Sequence, residues 1–344
     1  MRKLIKNLFY NFLLILVSKI GALIFTITVA RLLFPELFGI YSLALAIILT
    51  IATFTDLGIN STLIRYIAES LKKKRDAEII ARSRFFFLFR FKILLTIITA
   101  LLLFILAKPI ALYIFKKPLL TLPLQIGAIY LFVISLYGIF SSAFYALQRV
   151  NYSMVGEIIF QVLRIILVGI LLYFYKNVEV IFISLIFALF FSFIFLFVML
   201  SKKYSFLIKG KKIELEKREK KRLLSFFGWL TISSISLVFF AHIDIFMLGI
   251  FLPAEFIGYY NTIIAITTSI AAFVAFGPVL LPVFTQLKAG RLKHGFKKVI
   301  RYALLIAIPA SFGLAFVIVP VIKIIYGTAY VPIQYKLAIT IASA

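Results

Sequence analysis

Apolar residues run through this chain in stretches of roughly twenty or more, separated by short polar clusters, and the alternation repeats from end to end. A helix needs about 20 apolar residues to cross the hydrocarbon of a bilayer. The pattern therefore predicts membrane helices at 8–33, 39–66, 85–107, 120–147, 153–175, 178–200, 224–251, 257–286 and 302–325. Backbone polar groups in hydrocarbon must be satisfied within the segment itself, which makes each stretch a helix. Twelve residues follow Pro332, too few to cross, so a tenth helix is expected only to begin. The fold class that results is an all-α integral membrane protein, a polytopic helix bundle.

Composition agrees: 64% of the 344 residues are hydrophobic, against about 45–50% in soluble domains. The net charge of +26 resembles that of a nucleic-acid binder. Here, however, the basic residues sit between apolar spans rather than on a soluble face, so they point to membrane topology and anionic lipid, and no nucleic-acid partner is expected. By alternate sides of the spans, 29 of the 38 lysines and arginines fall on the side of the amino terminus and seven on the other. The positive-inside rule then places the amino terminus in the cytoplasm and the protein in the cytoplasmic membrane. The apolar run from Leu8 to Leu33 is too long for the core of a cleavable leader and reads as the first membrane helix. Without cysteine, and with two histidines, neither a thiolate site nor a metal or cofactor is expected.

The longest basic segment, Ser201–Arg222, divides six predicted helices from the remainder, giving expected units of 1–201, 202–222 and 223–344. A shift of 219 residues lays Glu36, Gly39 and Tyr41 on Glu255, Gly258 and Tyr260, with Pro35 and Pro253 nearby. The two copies lie six helices apart, an even number, and so share a face of the membrane. Parallel repeats about an axis along the membrane normal require that arrangement, which is common in transporters.

Charges inside spans are the candidate chemistry, because Lys or Arg at mid-bilayer costs about 2.5–3.5 kcal/mol. Lys19 lies near the middle of the first predicted helix and Arg164 near the middle of the fifth. Glu157, Gln161 and Arg164, spaced i, i+4 and i+7, share one helix face, which should look inward. Thr53, Asp56 and Asn60 form a similar stripe, and Asp244 lies close to His242. The candidate substrate-binding residues are Lys19, Arg31, Gln161 and Arg164, which would hold an anionic group such as a pyrophosphate. The candidate ion-coupling residues are Asp56, Glu157 and Asp244. A plainer reading pairs Lys19 with Asp56 and Arg164 with Glu157 as bundle-holding ion pairs. His242, alone, reads more readily as a satisfied interior group than as a proton relay. Gly277, Pro278, Pro282, Pro309 and Pro320 permit helix bends. Catalysis has little support: the outer loops are short, and their carboxylates, Glu36, Glu179 and Glu255, stand singly at turns rather than as an acid–base pair.

The segment Ala30-Arg31-Leu32-Leu33-Phe34-Pro35-Glu36-Leu37-Phe38-Gly39-Ile40-Tyr41 resembles the first-hairpin pattern of polysaccharide biosynthesis proteins that flip lipid-linked oligosaccharides. Thr55-Asp56-Leu57-Gly58-Ile59-Asn60 resembles that family's helix-two ending. Asp244-Ile245-Phe246-Met247-Leu248-Gly249, followed by Gly258-Tyr259-Tyr260-Asn261, resembles its seventh-helix hairpin. The resemblance extends over essentially the whole chain. It implies the multidrug, oligosaccharidyl-lipid and polysaccharide (MOP) exporter superfamily: two pseudo-symmetric six-helix halves, MATE-like, around a cavity that opens alternately to each side. Family members have about twelve or fourteen helices, so the second half is expected to be incomplete here. The implied cargo is a polyprenyl-phosphate-linked oligosaccharide, with membrane lipid as surroundings and Na+ or H+ as coupling cation. The alternatives are a MATE-type drug and cation antiporter, favoured by acids in the cavity, and a membrane glycosyltransferase or ligase, favoured by a sizeable outer domain.

Overall fold

A computed structural model of the protein describes residues 2–72, 76–210, 213–274 and 289–331. Among these residues there are no strands, and the long helices are α1 (Arg2–Leu32), α2 (Pro35–Asp56), α3 (Ile59–Ser70), α4 (Ala77–Pro109), α5 (Thr121–Ala146), α6 (Val150–Phe174), α7 (Val178–Lys203), α8 (Lys217–Phe251), α9 (Ala254–Val274) and α10 (Ala289–Tyr326). Among the described residues, six stretches are long and apolar enough to cross a membrane: Phe9–Leu32, Pro35–Ser70, Ala77–Ile114, Pro118–Ala146, Val150–Phe174 and Val178–Lys203. They coincide with the first six predicted spans. Val299–Gly313 and Phe316–Tyr326 meet the same criterion only together, as a pair bent by 69° that forms either one broken span or a re-entrant loop. Pro309 and Pro320 flank the bend, and each removes a donor from the helical ladder. The seventh predicted span lies within α8, and the eighth begins with α9. Its continuation through Gly277, Pro278 and Pro282, and the expected tenth helix, lie outside the described residues.

Two boundaries depart from the expectation. The span expected at 39–66 is interrupted, because Leu57 and Gly58 adopt φ of 42° and 76° and separate α2 from α3. Glycine tolerates that left-handed conformation without steric cost, whereas Leu57 carries some strain there. The span expected at 85–107 starts at Ala77, so Arg82 and Arg84, which precede the expected span, are helical along with Arg90 and Lys92.

The first seven helices pack as one bundle, with α1 against α6, α6 against α7, and α5 against α4 and α7. Hydrocarbon rewards an apolar exterior, and α6 shows the consequence. Ile158, Val162, Ile166 and Ile170, one residue per turn, face outward and are exposed, while Gln161, Val168 and Leu172 are buried. The later helices join this bundle through α2, which lies against α8 and α9.

The face that carries the α1–α2 and α8–α9 turns is closely sealed. The Gly39 and Gly258 backbones meet there with no room for a β-carbon. The Lys117 ammonium donates to the carbonyls of Gly249 (2.6 Å) and Leu252 (2.9 Å) at the end of α8. Arg31 donates to the carbonyls of Ile324 and Ile325 at the end of α10. Both cations thereby occupy the negative end of a helix dipole. Tyr330 completes the seal, donating to the Ala30 carbonyl at 2.9 Å with its ring edge-on to Phe38. Burial along α2 declines away from this face: Phe38 to Ala44 are buried, and Phe54 near the other end is exposed.

Candidate functional site

The polar stripe on α6 turns inward, as its spacing predicts. Gln161, 4% exposed, donates through Nε2 to Glu157 Oε1 at 2.6 Å, and the Tyr137 hydroxyl reaches Glu157 Oε2 at 3.3 Å. Gly21 on α1 makes room for this arrangement, since a side chain there would overlap the Gln161 carboxamide. Gln161 Oε1 is buried without a hydrogen-bond partner.

One turn along α6, Arg164 is enclosed by α1, α2, α5 and its own helix. Its guanidinium carbon lies 4.6 Å from the Phe25 ring centroid and 4.9 Å from that of Phe160. The titratable groups acting on it are Tyr41, Tyr130 and Glu157. Its Nε and Nη2 atoms are buried and have no hydrogen-bond partner, and no ion pair joins it to Glu157 among the described residues. Two aromatic faces offset part of the cost of holding a cation in this interior. They leave the N–H groups unsatisfied, an arrangement suited to accepting the oxygens of an anion.

The other sequence-predicted residues are dispersed. Lys19 is exposed and has no hydrogen bond or ion pair among the described residues. Two residues from Gly21, it projects roughly opposite to the α1 face that meets Gln161. Arg31 is twelve residues, about 18 Å, further along α1, at the sealed turn face. Asp244 lies on α8, where the Tyr260 hydroxyl of α9 donates to Oδ2 and its own Oδ1 accepts from the Ile245 amide at 2.8 Å. His242 contacts the Phe246 ring, and its Nδ1 is buried without a partner.

Asp56 has a partner from outside the sequence-predicted set. Lys92 of α4, 3% exposed, lies 2.8 Å from Asp56 Oδ1 and donates at 2.8 Å to Asn60 Oδ1. This pair replaces the suggested pairing of Lys19 with Asp56. Lys92 lies inside the expected 85–107 span but close to its start, so charge counting groups it with the basic residues of the amino-terminal side. Its position one turn before Thr96, on the buried side of a helix already apolar from Phe85, was the available signal. Among the described residues no group of three histidine or acidic side chains could hold a metal ion.

Residues 4–288 match the family described as polysaccharide biosynthesis protein. No curated protein matches the chain. Among solved structures, the fold is similar to one described as the inward-facing conformation of a multidrug resistance MATE family transporter of the MOP superfamily. The TM-score is 0.66 at 15% sequence identity, over 94% of this chain and 76% of that one.

Proposed function

Since the chain belongs to the polysaccharide biosynthesis protein family and has a MATE-like membrane fold, we propose that it is a flippase that carries a polyprenyl-phosphate-linked oligosaccharide from the cytoplasmic to the outer leaflet by alternating access. The amino terminus and the basic linker 202–222 are then cytoplasmic, with 1–201 and 223–344 as the two moving units. The turn face sealed by Gly39, Gly258, Lys117 and Arg31 is the outer gate.

The observation that carries this reading is Arg164. An interior arginine with two unpartnered guanidinium nitrogens is costly in a bundle unless a ligand completes it. The phosphate oxygens of a lipid-linked sugar match those donors in charge and geometry. Gln161, whose Nε2 already donates to Glu157, offers the second N–H of that amide as a neutral donor, and Arg31 is a residue of the outer gate that meets the cargo on release; Lys19, on the opposite side of α1, is assigned no contact with the group held at Arg164. Coupling to Na+ or H+ falls to Glu157 and Asp244, which no cation meets at ion-pair distance among the described residues. Asp56 is compensated by Lys92. Translocation involves no covalent chemistry, so no enzymatic residue is assigned.

The test is leaflet translocation of a fluorescent lipid-linked oligosaccharide in proteoliposomes, comparing the wild type with Lys19→Ala and Arg164→Ala. Transport by the wild type and its loss in Arg164→Ala is the expected result. An inactive wild type that exchanges drugs for cations overturns it in favour of an antiporter, and chemical turnover of the lipid-linked sugar overturns it in favour of an enzyme.

A further inference from the structure

On the basic face, remote from Arg164, the linker folds back along α4 and leaves a cleft of about 600 Å³ between them. Its α4 wall is Ser83, Phe86, Phe87, Arg90, Phe91 and Leu94, a spacing of three, one, three, one and three residues that places all six on one helix face. The opposite wall is Ile213, Glu214, Leu215 and Lys220. Specific bonds hold the walls together: the Ile213 amide donates to Ser83 Oγ at 3.0 Å, Arg82 donates to the Ile208 carbonyl at 2.6 Å, and Arg84 pairs with Glu219 at 2.5 Å. The cleft is part of the fold rather than a gap between loose segments.

Its chemistry is graded along α4. Arg90 is exposed and has no hydrogen bond or ion pair among the described residues. Lys220 faces it from α8, bonded at 3.0 Å to Glu214, whose side chain is 89% exposed. One turn deeper, about 6 Å along the helix, Leu94 is 56% exposed, and Leu101, Leu102 and Ile105 continue the apolar exterior. The cleft thus opens at one end beside two basic side chains and at the other onto the surface that faces hydrocarbon. That polarity matches a phospholipid: an anionic headgroup at the interface and an acyl chain in line below it. A soluble anion would leave the aromatic floor unused, and an apolar ligand would leave Arg90 unpaired.

We propose that this cleft binds one anionic phospholipid of the surrounding leaflet, its phosphate between Arg90 and Lys220 and one chain along Phe87, Phe91 and Leu94. Glu214 is the internal competitor for Lys220, displaced when the headgroup enters. The bound lipid ties the linker, and with it the start of α8, to α4. The proposal stands independently of the cargo assigned to the transporter.

Native mass spectrometry of the full chain, titrated with phosphatidylglycerol or phosphatidylcholine, tests it. The wild type should retain one phosphatidylglycerol and discriminate against phosphatidylcholine. Arg90→Gln combined with Lys220→Gln should weaken retention about 30-fold, on the usual contribution of basic residues to anionic-lipid binding. Lys202→Gln combined with Lys209→Gln, basic residues of the same face outside the cleft, should leave it unchanged. Glu214→Gln, which keeps every basic residue in place, should strengthen it. Equal losses in both double variants would mean diffuse attraction and overturn the proposal. So would equal retention of phosphatidylcholine, and so would displacement of the phospholipid by a polyprenyl phosphate at lower concentration, which would make the cleft an isoprenoid site.

Discussion

Gly39 and Gly258 are related by the 219-residue repeat, and each occupies the other's neighbourhood. A β-carbon on Gly39 would overlap the carbonyl oxygen of Ala254, and one on Gly258 would overlap that of Pro35. Ala254 and Pro35 are themselves 219 residues apart. The contact is therefore reciprocal, as an isologous two-fold interface requires. The obstructing atoms belong to backbone, which cannot rotate away as a side chain could.

Gly39→Val or Gly258→Val should consequently part α2 from α9 at the turn face. The protein has no cysteine, so a single Ser42→Cys, at a buried position beside the contact, can report on the change. Its labelling by a membrane-impermeant maleimide should rise at least several-fold in either valine variant, and transport should fall. Unchanged labelling would show that the seal does not depend on the glycine pair.

Arg164→Met should separate function from stability. The substitution removes the unpartnered buried N–H groups and keeps an unbranched side chain between Phe25 and Phe160, so resistance to unfolding should be unchanged or raised. Transport should fall by about tenfold or more, the usual scale for losing one charge-assisted contact. A large loss of stability, measured by denaturant titration in detergent, would mark Arg164 as structural instead.

Lys92→Leu should destabilise by about 3 kcal/mol, the lower end for breaking a buried pair, because the Asp56 side chain is 34% exposed and partly solvated. Lys92→Leu combined with Asp56→Leu should recover most of that loss. Failure of the double variant to recover would show that Asp56 and Lys92 do not act as a pair.

Burial raises the Tyr330 phenol above its ordinary value of 10.0. A folded-state value above the unfolded one favours the protonated form, so this contribution is present below about pH 10 and lost as pH rises through the folded value. Unfolding scans from pH 8 to 12 should show a decline in stability that Tyr330→Phe reduces. That variant should also cost about 1 kcal/mol at neutral pH, through loss of the bond to Ala30.

Span positions, all-α class and repeat register were legible in the amino-acid order, because the bilayer demands long apolar helices whatever their partners, and a parallel repeat returns its motif to the same face. The inward aim of Glu157, Gln161 and Arg164 was equally legible, since helical period alone puts them on one side. Which charges meet was decided only by the tertiary structure. Lys92 and Asp56 are 36 positions apart, and Arg84 and Glu219 are 135 apart. Their meeting depends on where the break at Leu57 and Gly58 sends α3 and on how the linker folds back along α4. Charge counting assigns a cation to water unless a partner is known, and a partner across the bundle is a property of packing, not of local order. The same reason separated Lys19 and Arg31 from Arg164: position along a helix fixes depth, while the neighbour that a helix face meets is chosen by the assembled bundle.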